Sequence, residues 1–273
     1  MVKLFLIGIT IWIIPIAFAQ NGTEVLPKGA RSLGMGNASV TLGDAWSVFN
    51  NIGGLGLVEN NQAFAGFDHR LGLQELTTLS AGLAFSSQEG NIGIGISNYG
   101  GELFNQQNLG VGYARQLGLA SLGLKVNYFQ TNIEGFGRSA APILELGGVA
   151  ELGPQLVFGA HIYNLSRAKL SKLTLEHLPM VVKTGLSYRP ASYLLINLEA
   201  EKEVMLAPQF KAGMEYGIQE KLWARTGINT QPKNIFFGIG FRPKNFHVDY
   251  ALSQHIQLGF THHFSFNYLW NNP

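Results

Sequence analysis

The chain has 273 residues, of which 34 are glycine and none is cysteine, and its formal net charge is +2. Only 13% of the residues are charged, yet there are 18 Phe, 9 Tyr and 4 Trp, a composition that excludes an intrinsically disordered chain. The near balance of 19 basic and 17 acidic residues argues against a nucleic-acid-binding protein. The lack of cysteine excludes a disulfide scaffold, cysteine-ligated metal sites and a cysteine nucleophile. Abundant glycine and aromatic residues with few charges favour an all-β protein.

Residues 1–19 have the pattern of a cleaved secretory signal peptide. Lys3 precedes an apolar run at 4–16, and Ala17-Phe18-Ala19 fits a small-x-small cleavage site before Gln20. The run is too short to cross a hydrocarbon core of ~30 Å comfortably as a helix. The sequence therefore predicts an exported protein, and no cysteine follows that would make it a lipoprotein.

After residue 58 the chain alternates apolar with polar or small residues, which is the signal of β-strands with one apolar face. For example, residues 91–96 alternate isoleucine with glycine or asparagine. Most segments are close to the ~9–11 residues that a tilted strand needs to cross a bilayer. Fourteen segments are predicted, near 62–71, 76–87, 90–99, 105–117, 120–132, 142–152, 155–166, 180–189, 194–204, 209–218, 222–230, 234–242, 246–253 and 256–270. The sequence thus predicts an all-β, 14-stranded antiparallel transmembrane β-barrel over residues 59–273.

The connections between these segments fall into two alternating sets. One set is short and turn-like, whereas the other includes the longest connections, predicted at 131–141 and 167–179. Outer-membrane barrels have short periplasmic turns and longer external loops, so the long set is predicted to lie outside the cell. Arg167, Lys169 and Lys172 make a candidate external docking loop for a protein or for anionic lipopolysaccharide, although a solvated loop has the same composition.

The direction in which charged side chains point follows from the cost of placing charge against lipid. Glu199 and Glu201 share one face of their strand, and turning that face to lipid would be unfavourable, so both are predicted to point into the lumen. The same argument places nine further residues in the lumen: Lys125, Lys183, Lys211, Glu215, Arg225, Arg242, His247, Asp249 and His263. Because both charge signs occur, we predict an internal ion-pair network; a polar transport path is the alternative.

Residues 20–58 precede the first strand and are predicted to form a hatch, or plug, inside the lumen. Their many glycines allow close backbone packing, and Arg31 and Asp44 are placed to pair with lumen carboxylates and bases respectively. The stretch resembles the hatch of the FadL-like outer-membrane barrel superfamily, and more closely that of its PorV/PorQ branch, which is associated with type IX secretion. The matching residues are Gly29, Ala30, Arg31, Met35, Gly36, Ala38, Val40 and Asp44, followed by Asn51, Gly54 and Leu55 in the family's N-P-A-G-L-like turn.

Two features bear on this resemblance. Ile52 and Gly53 stand where the family usually has Pro and Ala. At the other end, residues 248–252 and 258–266 are similar to the family's closing hairpin, with His263 in place of its usual Arg. The alternating aromatic residues of the last strand also resemble the signal that engages the barrel-assembly machinery.

The resemblance implies an integral outer-membrane protein in contact with outer-membrane lipid and lipopolysaccharide. It implies a partner or cargo-tethering component of type IX protein secretion, whose partners would be secreted cargo or secretion-system proteins. The alternative is FadL-like transport of long-chain fatty acids or other hydrophobic small molecules. For that alternative, Phe129, Trp223 and Phe236 are the candidate residues lining a pocket for the ligand.

Catalysis is not predicted. The histidines are scattered, and Ser253-Gln254-His255 is expected in a short external loop with no acid nearby in the sequence. His262 and His263 are adjacent and so point to opposite faces of a strand. We therefore expect a non-enzymatic protein with no cofactor and no metal site.

Overall fold

The computed structural model describes residues 25–170, 178–255 and 258–270. The predicted signal peptide at 1–19 lies outside the described residues. So does Lys172 of the candidate docking loop.

Fourteen strands form one closed antiparallel barrel, in which each strand pairs with its neighbours in sequence and the first closes on the last. The predicted all-β class, the closed antiparallel barrel and the strand number are confirmed. The strands are β1 (Asn61–Arg70), β2 (Thr77–Phe85), β3 (Asn91–Gly100), β4 (Phe104–Leu117), β5 (Ala120–Ile133), β6 (Gly137–Gly153), β7 (Leu156–Tyr163), β8 (Val181–Ala191), β9 (Leu194–Glu203), β10 (Gln209–Gln219), β11 (Leu222–Thr230), β12 (Lys233–Phe241), β13 (Phe246–His255) and β14 (Gly259–Trp270).

Alternation along each strand separates an apolar outer face from a polar or small inner face. In β5, Leu124 and Val126 are 48% and 53% exposed on the outside, whereas Lys125 and Asn127 between them are buried. Because the side-chain period of a strand is two, this pattern fixes which face of the whole sheet is outside.

The prediction of a long loop at 131–141 is wrong. The alternation continues through this stretch, so β5 runs to Ile133, β6 begins at Gly137, and only residues 134–136 make the turn. Gly135 and Gly137 supply the positive φ angles, 77° and 89°, that so tight a turn requires. The other long connection, predicted at 167–179, joins β7 to β8 at 164–180. Ser253-Gln254-His255, expected in an external loop, forms the end of β13.

The N-terminal segment, residues 25–58, packs against the inner face of the barrel. It contains two short helices, α1 (Ala30–Gly34) and α2 (Ser47–Asn50), and a 3₁₀ helix at Ile52–Leu57. Its contacts run around the ring: Gly34 lies against β12 and β13, Gly36 against β10 and β11, and Ile52 against β4 and β5. A further 3₁₀ helix, Gln74–Leu76, connects β1 to β2. Within the described ranges, no helix is both long and apolar enough to span a membrane.

Candidate functional site in the barrel lumen

One side of the N-terminal segment packs on a wall of glycines. The side chains of Val48 and Ile52 lie against Gly93 on β3 and Gly112 on β4, in the space that a side chain at either glycine would occupy. These glycines therefore make room for the apolar side chains of the segment, which form a buried cluster with Trp46, Leu55 and Phe64.

The turn in which this sequence departs from the N-P-A-G-L pattern is held by Asn51. Its Oδ1 accepts from the Gly53 N–H at 3.1 Å, and its Nδ2 donates to the carbonyl oxygens of Val40 at 2.5 Å and Gly148 at 3.1 Å. A Cβ at Gly53 would lie only 2.5 Å from the Gly148 Cα, so glycine is the residue that fits. Ile52 is fully buried. The turn is thus complementary to the barrel wall in spite of the two replacements.

Arg31 joins the segment to the barrel. Its Nε and Nη2 donate to the two carboxylate oxygens of Glu215 at 3.0 and 2.6 Å, and its Nη1 donates to Asp44 at 3.0 Å. The expectation that Asp44 would pair with a lumen base is therefore wrong, because its partner is Arg31 of the same segment. Burial lowers the pKa of the guanidinium, but attraction to Glu215 and Asp44 outweighs burial and raises the pKa overall.

Glu215 is the centre of the first group of lumen charges. Arg225 Nε donates to its carboxylate at 2.6 Å and Arg242 Nη2 at 2.9 Å. Asp249 lies 2.7 Å from Arg225 Nη2, and Arg242 also stacks on Trp223, 5.3 Å from the ring centroid. Three arginines and three carboxylates, counting Asp44, thus balance one another in this group.

A second group lies on β5 to β10. Lys125 pairs with Glu145 at 3.2 Å, and Lys211 pairs with Glu199 at 3.0 Å and Glu201 at 2.5 Å. Lys183 lies 3.7 Å from Glu201. Sequence reasoning missed two members, Glu145 and His161, which are 3.0 Å apart and both buried. The signal that could have found them is the alternation of β6 and β7, in which both occupy inward positions.

Glu199 also holds the N-terminal segment. Its Oε2 accepts from the backbone N–H groups of Ser39 at 2.7 Å and Val40 at 2.8 Å. Ten of the eleven residues predicted for the lumen lie on the inner face of a strand, and His247 among them is half-buried at the start of β13. The eleventh, Arg242, follows the end of β12 and reaches Glu215 in the lumen. The ion pairs therefore connect strand to strand and, through Arg31 and Glu199, strand to segment.

An apolar cluster, named here the rim cluster, lies inside the barrel at the end where β5 joins β6 and β7 joins β8. Its buried members are Phe129, Ala141, Ile143, Tyr163, Leu178 and Val181, and Val25, Ala168 and Leu170 pack against them. Of the three candidate lining aromatics, only Phe129 belongs to this cluster. Phe236 lies on β12 and Trp223 near the opposite end of β11, so the three do not form one pocket.

A cavity of about 860 Å³ lies at the opposite end of the barrel, among the short turns. It is lined partly by the N-terminal segment, through residues including Leu42 and Leu57, and partly by turn residues including Arg115 and Arg189. The segment therefore lies between this cavity and the rim cluster.

The described part of the candidate docking loop is anchored at its root by Asn164. The Asn164 side chain donates to the Leu178 carbonyl at 2.9 Å and accepts from the Ala168 N–H at 2.8 Å. Arg167 and Lys169 are both exposed. The loop therefore exposes Arg167 and Lys169 close to the hydrogen bonds of Asn164.

A third polar group surrounds His263. Its Nδ1 lies 2.9 Å from Asp68 Oδ1 on β1, and its Nε2 lies 3.2 Å from Ser253 Oγ on β13. The described residues contain no group of three or more His, Cys, Asp or Glu side chains that could hold a metal ion.

Taken together, the fold is a closed fourteen-stranded barrel with an apolar outside, a charged inside and an N-terminal segment in the lumen. No protein-family model matches the sequence, and no curated protein matches it. Solved structures do match the fold. The toluene transporter TbuX of Ralstonia pickettii superposes with a TM-score of 0.74 at 12% identity, over 90% of this chain and 99% of that one.

Two other solved structures, a hydrocarbon channel and a FadL homologue, also superpose over most of this chain. The CymD monoaromatic hydrocarbon channel has a TM-score of 0.75 at 12% identity, covering 91% of this chain and 99% of its own. A FadL homologue of Pseudomonas aeruginosa has a TM-score of 0.63 at 11% identity, covering 89% and 98%. At these identities the likeness establishes a shared FadL-like barrel fold.

Proposed function

We propose that this protein is an outer-membrane barrel that transports hydrophobic small molecules. The observation that carries the proposal is the rim cluster, an apolar site inside a lumen whose inner wall is otherwise largely charged, polar or glycine. The fold shared with a toluene transporter and a monoaromatic hydrocarbon channel supports it. This is the alternative reading of the sequence, and it has more support than a role in secretion.

The outer face of the barrel supports the membrane placement. Outward side chains such as Ile94, Val111, Val126 and Ile228 are exposed and apolar, so water would be an unfavourable surrounding for the barrel wall. A closed barrel leaves no strand edge unpaired, which is the condition for β-structure in hydrocarbon. The short turns and the ends of β1 and β14 lie at one rim, which we assign to the periplasm.

In this proposal the ligand enters at the rim cluster and leaves through the barrel wall, between β6 and β7. The last pair of the β6–β7 ladder is Leu146 with Ile162, although β6 itself starts at Gly137. We name the boundary between β6 and β7 the seam. Between that pair and the external rim, the described residues include one hydrogen bond across the seam, from the Leu165 N–H to the Leu144 carbonyl. Ala141 and Ile143 of the rim cluster lie on this part of β6.

Passage past the N-terminal segment is the costlier route. It would require the ion pairs of Arg31, whose side chain is 15% exposed, and the backbone contacts of Glu199 to break together, each at an unfavourable free energy. The segment would therefore act as a fixed plug in this mechanism. The seam between β6 and β7 would be the exit to the membrane.

The test is equilibrium dialysis of the purified barrel against radiolabelled toluene and a radiolabelled long-chain fatty acid. Saturable binding is expected, and Phe129→Ala should weaken it about tenfold, a loss of about 1.4 kcal/mol. Phe136→Ala is the matched control, because Phe136 is 90% exposed at the turn of the same hairpin. Absence of saturable binding, or equal effects of the two variants, would contradict the proposal.

A role as a PorV/PorQ-type partner in type IX secretion is the second candidate. The exposed cations Arg167 and Lys169 on an anchored loop support it, together with the hatch motif. Gentle detergent extraction followed by identification of co-purifying proteins tests it. A secretion-machine protein that is retained by the parent and lost from an Arg167→Gln/Lys169→Gln variant is the expected result, with toluene binding unchanged.

A further inference from the structure

Three polar side chains from adjacent strands form a linear array inside the barrel. His263 on β14 lies between Asp68 on β1 and Ser253 on β13, and its two ring nitrogens contact the two neighbours separately. The distances are 2.9 Å from Nδ1 to Asp68 Oδ1 and 3.2 Å from Nε2 to Ser253 Oγ. The carboxylate, imidazole and hydroxyl thus stand in the order and spacing of a Ser-His-Asp triad, which is recognised by geometry rather than by sequence position.

The contact with Asp68 favours the His263 tautomer that carries its proton on Nδ1. With the proton on Nδ1, His263 donates to Asp68, and Nε2 is left to accept the hydroxyl proton of Ser253. Ser253 is buried in the barrel, with 7% of its surface exposed. It is two residues from the end of β13 at His255, near the same rim as the rim cluster.

An aromatic side chain lies beside Ser253 on the inner wall. Ser253 pairs across the ladder with Phe236 on one side and with Thr261 on the other, and Thr261 pairs with Arg70. Arg70 is two ladder positions from Ser253, but its guanidinium is turned towards β3, on the other side of β1. Arg70 also lies over the ring of Tyr99, 5.3 Å from its centroid.

The stabilising donor for an oxyanion has to be a side chain here. In a closed barrel the strand N–H groups are used by the ladder, so backbone donors of the usual oxyanion hole are absent from this wall. On β2, the buried hydroxyl of Thr78, opposite Asp68 in the ladder, has no hydrogen-bond partner among the described residues.

We propose that Ser253, His263 and Asp68 are the catalytic residues of a hydrolase for carboxylic esters with apolar acyl groups. Ser253 Oγ attacks the ester carbon and forms a new C–O bond, while its proton passes to His263 Nε2. The ester C–O bond then breaks, and His263 gives that proton to the departing alcohol oxygen. Water attacks the acyl-serine by the same route in reverse, releasing the carboxylic acid and restoring Ser253.

This activity goes beyond transport and departs from the expectation of a non-enzymatic protein. Catalysis was not predicted from the sequence, because the histidines are scattered and Ser253 was considered beside His255. The structure pairs Ser253 with His263 and Asp68 instead.

The direct test is labelling of the purified full-length barrel with a fluorophosphonate probe, followed by mapping of the modified peptide. Ser253 should carry the label, and Ser253→Ala should abolish it. Ser97→Ala is the matched control, because Ser97 is a buried inward serine on β3, outside the array. Failure of the parent protein to label, or labelling that survives Ser253→Ala, would overturn the proposal.

Hydrolysis of p-nitrophenyl butyrate separates a triad from a structural hydrogen-bond chain. Asp68→Asn should lower kcat by about 10³–10⁴-fold. Heat-modifiable migration in gels checks that each variant is folded, and toluene binding by Ser253→Ala should equal that of the parent. Folded Asp68→Asn and Ser253→Ala variants with unchanged hydrolysis would refute the triad and leave the transport proposal standing.

Discussion

Arg31 shows how a single residue connects the lumen charges to the N-terminal segment. Its guanidinium uses three of its nitrogens, two on Glu215 and one on Asp44. The planar fork of arginine matches a carboxylate in two-point contact, which lysine cannot reproduce. The Arg31 side chain is 15% exposed, and Glu215 keeps Arg225 and Arg242 when Arg31 is removed. Its loss should therefore cost less than that of an isolated buried pair.

We predict that Arg31→Gln destabilises the folded barrel by about 1–3 kcal/mol, because Asp44 loses its partner and Glu215 loses two hydrogen bonds. The measurement is urea unfolding in detergent followed by tryptophan fluorescence. Trp46 reports on the segment, since it is buried and donates to Asn267 at 2.9 Å. Arg115→Gln is the control: its 3.5 Å contact with Glu89 is exposed and should be worth less than about 1 kcal/mol. Equal losses for the two variants would contradict the role of Arg31.

The N-terminal segment as an element is seated by shape as well as by charge. Its apolar side chains fill space left by glycines on β3 and β4, and its polar groups face the charged strands. Such packing leaves little freedom to shift without strain. A segment that stays in place is compatible with transport only if the ligand leaves through the seam.

A disulfide between the N-terminal segment and the barrel wall tests whether the segment stays in place during transport. A Cβ at Gly34 would lie 3.4 Å from the Ala251 Cβ, close to the spacing of a disulfide, and the chain has no cysteine to interfere. We predict that oxidised Gly34→Cys/Ala251→Cys protein takes up a labelled long-chain fatty acid into cells within twofold of the parent. Each single-cysteine variant is a control, and non-reducing gels report the bond. Uptake that is lost on oxidation and restored by a reductant would show that the segment must move.

At the scale of the whole molecule, the barrel combines a closed ladder with an apolar exterior. Its stability in a membrane depends on outward residues at mid-height more than on those at the rims, because the cost of a charge falls towards the interface. Val126 lies near the middle of β5, and Leu117 lies at the short-turn end of β4. Both are outward and more than half exposed.

We predict that Val126→Arg lowers the free energy of unfolding in lipid vesicles by about 2–4 kcal/mol, whereas Leu117→Arg costs about 0–1 kcal/mol. The measurement is reversible urea unfolding in vesicles, with the folded fraction read from heat-modifiable gel migration. A barrel that sits in water would respond to neither variant in this way. Similar effects at the two positions would place the membrane boundary elsewhere.

Much of the architecture follows from local pattern. Alternation over stretches such as 91–96 and 122–129 predicts strands, and their length and number predict a fourteen-stranded barrel. The loop at 131–141 was misjudged because alternation there continues into a longer hairpin whose turn is set by Gly135 and Gly137. A turn that needs only three residues leaves a weak signal in sequence.

The sites were less accessible to sequence reasoning. Alternation along a strand identifies the charged residues that point inward, since a charge facing lipid is costly. It does not tell which charged residue pairs with which across the lumen. Asp44 met Arg31 rather than a lumen base, and Glu145 and His161 were overlooked. Phe129, Trp223 and Phe236 share an inward face, yet the ring of strands separates them.

The sequence by itself determined the number of strands, their spacing and the face that each residue shows, because these depend on a side-chain period of two along the chain. Only the tertiary structure decided which residues meet across the lumen. Closure of the barrel brings β1 beside β14, and with it Asp68 beside His263, although 195 positions separate them in sequence. Such contacts depend on strand register and ring closure, and neither is encoded in any one segment.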